Sequence, residues 1–176
     1  IRQAKRNALD GVSMIQVSEG GLSEISSMLI RLRELAIQAA SDTVGDTERL
    51  FTDREFQSLK EEIDRISNIT QFNGVPLLNG KAGIFEVQVG IKNNPILDRI
   101  VYNGERADST LDSLKLGGES VATKQGAQLG LAVIDDALVR VNSIRADLGA
   151  LQNRLQATIN NLSISEENVS AANSRI

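Results

Sequence analysis

Two pairs of neighbouring acids, Asp135-Asp136 and Glu166-Glu167, are the residues best suited by type to do chemistry. Two carboxylates can divide general acid and general base duties across one reacting bond. These cannot, because both pairs fall in stretches of helical period and side chains one apart on a helix point in different directions. Asp136 and Arg140, four apart, have the spacing of a surface ion pair worth about 0.3 kcal/mol. A carboxylate-dependent hydrolase would need two acids converging in a pocket, and removal of Glu55 is the test that would revive it. His and Cys are both absent. That removes the imidazole base, the thiol nucleophile, the usual zinc ligands and any disulfide. Nor is there a Gly-rich phosphate loop of the P-loop or dinucleotide type. The expectation is no catalytic residue, no metal and no cofactor. Asn161-Leu162-Ser163 and Asn168-Val169-Ser170 fit the N-glycosylation acceptor pattern but lie in a helical stretch.

Without an enzyme's inventory, the elements themselves must carry the function. The chain has 176 residues, 41% of them hydrophobic, enough for one domain with a real core. Aromatics make up only 3%, so that core is built from Leu, Ile, Val and Ala, the palette of helix-on-helix packing. A net charge of -4 and the lack of aromatics interleaved with Lys or Arg argue against nucleic acid as a partner. No apolar run of about 18 residues spans a bilayer, and residues 1–9 lack a signal-peptide pattern. Export by a route without a cleaved signal stays open.

Residues 1–41 read as one helix of roughly 60 Å. Ala8, Ile15, Leu22, Leu29 and Ala36 step by seven, and a second row, Ala4, Gly11, Ser18, Ile25, Leu32 and Ala39, lies three residues on. Together they form one seam. Gly20 and Gly21 sit inside it at a cost of about 1 kcal/mol each, which a kink or a close crossing would explain. After a polar break at 41–46, Thr47 is the expected cap of a second helix, about 47–70, with Phe56, Leu59, Ile63 and Ile66 on its apolar stripe. The short connection predicts antiparallel packing.

Between about 75 and 118 the period changes to that of small β-hairpins. Asn79-Gly80 is the strong turn signal, and Phe85, Val87, Val89 and Ile91 alternate with Glu86, Gln88 and Gly90 as a strand. Residues 100–102 form the second strand, and 111–118 are irregular. From 124 to 176 the helical period returns: Ile134, Val141, Leu148, Leu155, Leu162, Val169 and Ile176 recur every seven residues. The parallel row, Ala137, Ile144, Leu151, Thr158, Ser165 and Ala172, begins apolar and ends polar, so the seam narrows toward the C-terminus. The expected fold is mainly α over a single domain 1–176, an elongated antiparallel helical bundle or coiled-coil rod with small β-hairpins at one side. Its seam residues are Ile15, Leu22, Leu29, Ile134, Val141, Leu148, Leu155 and Leu162. Neither end carries a stop signal, and the expectation is a segment of a longer protein whose termini continue as paired helices.

Several motifs carry a resemblance. Gln3-Ala4-Lys5-Arg6-Asn7-Ala8-Leu9-Asp10-Gly11, Leu32-Arg33-Glu34-Leu35-Ala36-Ile37-Gln38, Glu62-Ile63-Asp64-Arg65-Ile66-Ser67, Thr70-Gln71-Phe72-Asn73-Gly74 and Leu148-Gly149-Ala150-Leu151-Gln152-Asn153-Arg154-Leu155 closely resemble bacterial flagellin. Ala171-Ala172-Asn173-Ser174-Arg175-Ile176 resembles the flagellin region just before its last helix. The resemblance implies the rod-shaped inner domain, without the terminal helices that line the filament channel and without an outer variable domain, for which 91–122 is too short. It implies a secreted, extracellular structural subunit that polymerises with its own kind, with a hook-filament junction protein of similar architecture as the alternative. An export chaperone and a filament cap protein are implied partners, and the isolated chain is expected to be monomeric.

By the same resemblance, Leu29, Arg31, Leu35 and Glu55 match positions where similar flagellins are bound by the vertebrate Toll-like receptor that senses flagellin. Arg154 matches a contributor to the same surface, and Ile30 stands where recognised flagellins often carry Gln. That surface also serves subunit contacts, for which Ile30, Ile37, Val44 and Leu50 supply apolar residues off the seam.

Overall fold

The computed structural model describes residues 1–173. Its elements are α1 (Arg2–Ala39), α2 (Asp46–Ile69), β1 (Gln71–Phe72), β2 (Val75–Pro76), β3 (Ile84–Gln88), β4 (Arg99–Asn103) and α3 (Lys124–Asn173). The molecule is mainly α, with two two-stranded antiparallel sheets, β1-β2 and β3-β4.

The two seven-step rows of α1 become one buried face, from Ala4 and Ala8 through Ile15, Leu22 and Leu29 to Ala36 and Ala39. Across it α3 buries Ile134, Ala137, Val141, Ile144, Leu148 and Leu155. Charge pairs along the edges give direction and register. Arg2 meets Glu166, Glu19 meets Arg145, Arg33 meets Asp135 and Asp42 meets Lys124, so the partner number falls as the α1 number rises. The two helices are antiparallel and stay in step along the whole of α1, close to 60 Å. Gly11 lets them close up: a Cβ there would stand 3.2 Å from Leu155 and 3.3 Å from Val87. The paired length of the two helices runs from the Arg2–Glu166 pair to the Asp42–Lys124 pair. Val169, expected in the heptad row, is exposed, and Leu162 is half-buried. Ile176 lies outside the described residues.

The α1–α2 corner is capped by side chains. Arg49 is buried with its guanidinium on the end of α1, Nε donating to Ala39 O at 2.8 Å and Nη2 to Ser41 O at 2.7 Å. It thereby satisfies carbonyls that a helix C-terminus leaves orphaned. The N-cap of α2 is Gly45, two residues before the expected Thr47. Gly45 N–H donates to the Glu48 carboxylate at 2.6 Å, so the cap is closed by the third helical residue and Thr47 sits inside the first turn. Phe56 and Ile63 of α2 are fully buried, and Leu59 and Ile66, partly buried, pack against the core. Of the two helical glycines, Gly21 is explained by a close crossing, since a Cβ there would meet Thr70 Oγ1 at 2.7 Å and Leu78 Cδ1 at 2.8 Å. Gly20 faces open space; nothing in the structure explains it.

The hairpins differ from expectation in their turns. Asn73 and Gly74, with φ of 50° and 80°, form the two-residue connection of β1-β2, the double positive φ that Asn-Gly favours. Asn79-Gly80 turns the chain but joins no paired strands, because β2 pairs backward with β1 and β3 forward with β4. β3 ends at Gln88, where Val89 N and Gly90 N both donate to Asp98 O, at 2.8 and 3.0 Å. That bulge ends the alternation, so Val89 is buried while Ile91 is 72% exposed. The inward faces of this sheet, Phe85 with Tyr102 and Val87 with Ile100, cover the α1–α3 seam. Tyr102 OH donates to Leu77 O at 2.8 Å and locks the second sheet onto the first.

Candidate interaction surface

The side chains expected to act together are split by the structure. Arg31 and Glu55 meet across α1 and α2 at 2.8 Å, and Arg31 also reaches Glu34 at 3.0 Å. Both residues are exposed. Hydrogen bonds from Glu55 first, then Glu34, hold the Arg31 guanidinium even more firmly protonated than usual. Leu29 and Leu35, by contrast, are 0% and 2% exposed. They lie on the core side of α1, so a partner could touch them only by opening the seam. Arg154 belongs elsewhere. Arg33 stands level with Asp135, and Arg154 is nineteen residues further along α3, roughly 28 Å at the helical rise.

Around Arg31 and Glu55, Ile30, Ile37, Leu50 and Phe51 are all about half exposed, while Val44 is partly covered. Arg54 stacks its guanidinium over Phe51 at 5.5 Å. The α1–α2 corner therefore presents apolar side chains among fixed charges. This is the make-up of a protein-contact surface, not of a substrate pocket. Arg154 instead lines a groove between β4 and α3, where openings of 330 and 580 Å³ share that residue.

A further set of residues escaped the sequence reading. Asp53, Gln57, Lys60 and Asp64 fall at spacings of four, three and four, one polar stripe on α2 beside its apolar one. All four bind the backbone of the 104–123 segment, which runs from β4 to α3. Lys60 Nζ donates to Glu119 O at 2.7 Å and Gly117 O at 3.0 Å, and Gln57 donates to Glu119 O at 3.1 Å. Asp53 accepts from Val121 N at 2.8 Å and Ser120 Oγ at 2.9 Å, and Asp64 from Leu111 N at 3.3 Å. Lys60 is 4% exposed, and burial pushes its ammonium below the usual lysine range against the pull of Asp53 and Glu119. The signal available in sequence was the i, i+4, i+7, i+11 spacing. Four charged or amide residues on a helix ordinarily mean a solvated face.

Asp135 is engaged by Arg33, and Glu166 by Arg2 and Lys5. Glu166 and Glu167 share an open surface hollow, which Arg2 also lines. Among the described residues no group of three or more His, Cys, Asp or Glu could hold a metal ion, and no helix is long and apolar enough to cross a membrane.

The model of the bacterial flagellin N-terminal helical region matches residues 1–82, and that of the C-terminal helical region matches 131–176. A flagellin of Halalkalibacterium halodurans is 39% identical over 174 residues, covering 99% of this chain and 63% of the relative. The chain thus spans a little under two thirds of that curated relative's length. The crystal structure of Bacillus cereus flagellin superposes with a TM-score of 0.79 at 31% identity, covering 96% of this chain and 94% of that one. A putative flagellar hook-associated protein from Vibrio parahaemolyticus shares the fold, with a TM-score of 0.79 at 16% identity over 99% of this chain and 90% of its own. With both helical arms matched in sequence and the rod matched in structure, this chain belongs to the bacterial flagellin family.

Proposed function

We propose that this chain is the rod-shaped inner part of a structural subunit that polymerises with copies of itself into the extracellular filament of the bacterial flagellum. The observation that carries the reading is the α1–α3 rod, a long helix from each arm of the chain packed antiparallel in constant register. A rod whose length exceeds any compact globule of this size offers a neighbour contact surfaces at different heights. Heterologous contacts of that kind build open helical polymers. The function is mechanical and not catalytic, in keeping with carboxylates that pair with arginine instead of with each other. Reaching the cell exterior through a dedicated export route, with an export chaperone and a filament cap protein as partners, is part of the same proposal. So is a monomeric state for the isolated 1–176 segment.

The test is polymerisation in vitro of the full-length protein that contains this segment, followed by electron microscopy. Helical filaments are expected, whereas concentration-independent closed oligomers of the 1–176 segment in sedimentation would contradict the reading. The alternative is a hook-filament junction protein. It shares the rod, but the identities of 31–39% are to flagellins, so polymerisation into long filaments is the discriminating outcome.

The exposed Arg31–Glu55 pair is the second surface offered to a partner, the vertebrate Toll-like receptor that senses flagellin. Its contact reduces to Arg31, Glu55 and the neighbouring Ile30, since Leu29 and Leu35 support the helix from inside. Substituting Arg31→Ala should weaken receptor activation without changing helix content. Equal activation would remove the receptor from the partners of this surface.

A further inference from the structure

The β3-β4 hairpin lies over the α1–α3 seam with its two edges treated differently. The outer edge of β3 is closed by α1: Asn7 Nδ2 donates to Gln88 O at 3.0 Å, and Gly11 brings the helix against Val87. The outer edge of β4 runs beside the groove that holds Arg154. Gly104 N donates to Gly83 O and Val89 N to Asp98 O, both at 2.8 Å. Bonded and non-bonded pairs alternate along an antiparallel ladder. Within β4, Ile100 and Tyr102 therefore direct their backbone groups to β3, and Arg99, Val101 and Asn103 turn theirs outward. An unpaired strand edge is a template for another strand.

The groove beside that edge is built for an extended chain with acidic side chains. Ile144, Leu148 and Leu151 of α3 give it an apolar floor, and Arg106 and Arg154 stand on its rim. Among the described residues neither guanidinium makes an ion pair, and Asp147 is the one carboxylate in the lining. Among the described residues a second copy of this chain has no unpaired strand to lend. Its extended stretches are paired with one another in the two hairpins, and its 104–123 segment is bound along α2.

We propose that the open edge of β4 accepts an extended acidic segment of another protein as a third strand, seated on α3 with its carboxylates against Arg106 and Arg154. This goes beyond the filament reading and does not depend on it.

The probe is a fluorescein-labelled decapeptide of alternating Glu and Val, with the Lys and Val counterpart as control, titrated into the 1–176 chain by fluorescence anisotropy and by backbone amide NMR. Saturable binding of the acidic peptide alone is expected, with the largest shifts at the amides of Arg99, Val101 and Asn103. Val101→Pro deletes an outward N–H while leaving the ladder to β3 intact, and should weaken binding on the order of tenfold. The double change Arg106→Glu with Arg154→Glu should weaken it by about tenfold or more and flatten its salt dependence. Retention of the amide shifts of β3 in each variant keeps the hairpin's integrity separate from the result. Undiminished binding to Val101→Pro, or equal binding of the Lys peptide, would overturn the proposal. Concentration-dependent shifts at β4 without peptide would also overturn it, by naming a second copy as the occupant.

Discussion

The α1–α3 seam and the contact between α2 and the 104–123 segment bury neighbouring parts of one core by opposite means. The seam is mainly apolar, Ile15, Leu22 and Leu29 against Ile134, Val141, Leu148 and Leu155, with the buried Ser18 hydroxyl bonded within its own helix and ion pairs along the edges. Its energy is area removed from water, which is large and tolerant of small shifts in position. The α2 contact is polar at its centre. Lys60, Asp53, Gln57 and Asp64 hold carbonyls and amides of a segment with no regular structure of its own. Such bonds add little net energy when made and cost much when one partner is removed. The difference teaches that one face of this rod sets stability, while the other sets the path of a loop that the sequence leaves unspecified.

The strongest way to break the comparison is to empty a seam position. Leu22 is fully buried, and Leu22→Ala should destabilise the chain by about 3 kcal/mol from lost burial and the cavity left behind. Urea unfolding followed by circular dichroism measures it, and a loss under about 1 kcal/mol would mean that the seam collapses around the gap.

Lys60→Met tests the other side. Methionine keeps the volume but none of the three donated bonds, leaving Gly117 O and Glu119 O, in a part-buried place, without that donor. A cost of about 2 kcal/mol is expected, and its location matters more than its size. Hydrogen exchange at the amides of 111–121 should quicken while amides of the seam helices keep their relative protection. Uniform loss across both would show that the two contacts form one cooperative unit.

The two adjacent glycines of α1 sharpen the comparison through opposite signs. Gly21→Ala places a methyl within 2.8 Å of Thr70 and Leu78 and should destabilise by about 1–2 kcal/mol, since both neighbours belong to the packed turn after α2. Gly20→Ala meets nothing and should stabilise by up to about 1 kcal/mol through helix propensity alone. Thermal unfolding of the pair checks both signs at once.

How much of this was readable beforehand follows from what each region uses as its signal. The seam announces itself because apolar side chains recurring every seven residues have one helical explanation, and both rows of α1 are buried from Ala4 to Ala39. Val169 keeps the seven-residue step but is exposed, because the period marks a face and not how far that face is covered. The hairpins were legible as a change of period. Their turns were not, because two Asn-Gly pairs six residues apart compete and strand pairing chooses between them. The α2 stripe was hidden because hydrogen bonds from side chains to distant backbone leave no mark on the distant residues. Among the candidate surface residues, Arg31 and Glu55 were named singly, and their pairing across α1 and α2 is seen only in the structure. Leu29 stood both in the seam and, by resemblance, with Leu35 among the contact candidates, and the structure buries both.

The smallest expected effect lies at the edges of the seam, where the ion pairs are. A hydrogen bond from Arg2 holds the Glu166 carboxyl below the usual glutamate range, with Lys5 helping. At the other end a hydrogen bond from Lys124 does the same for Asp42. A carboxylate whose folded pKa lies below its unfolded one contributes stability above the unfolded value and loses it as pH falls through the folded value. Asp42 is exposed and Glu166 partly so, and both pairs are screened by solvent, so global stability should barely register their protonation. The local effect is readable: between roughly pH 5 and pH 3, amides in the first turns of α1 and around Glu166 should lose protection while those beside Leu22 and Val141 hold. Glu166→Gln removes the titrating group, so its amides should show the weaker protection already at neutral pH and little further change on acidification. If the wild-type ends and centre instead lose protection together, the edge charges are part of the same cooperative seam, and the separation drawn between apolar centre and charged rim fails.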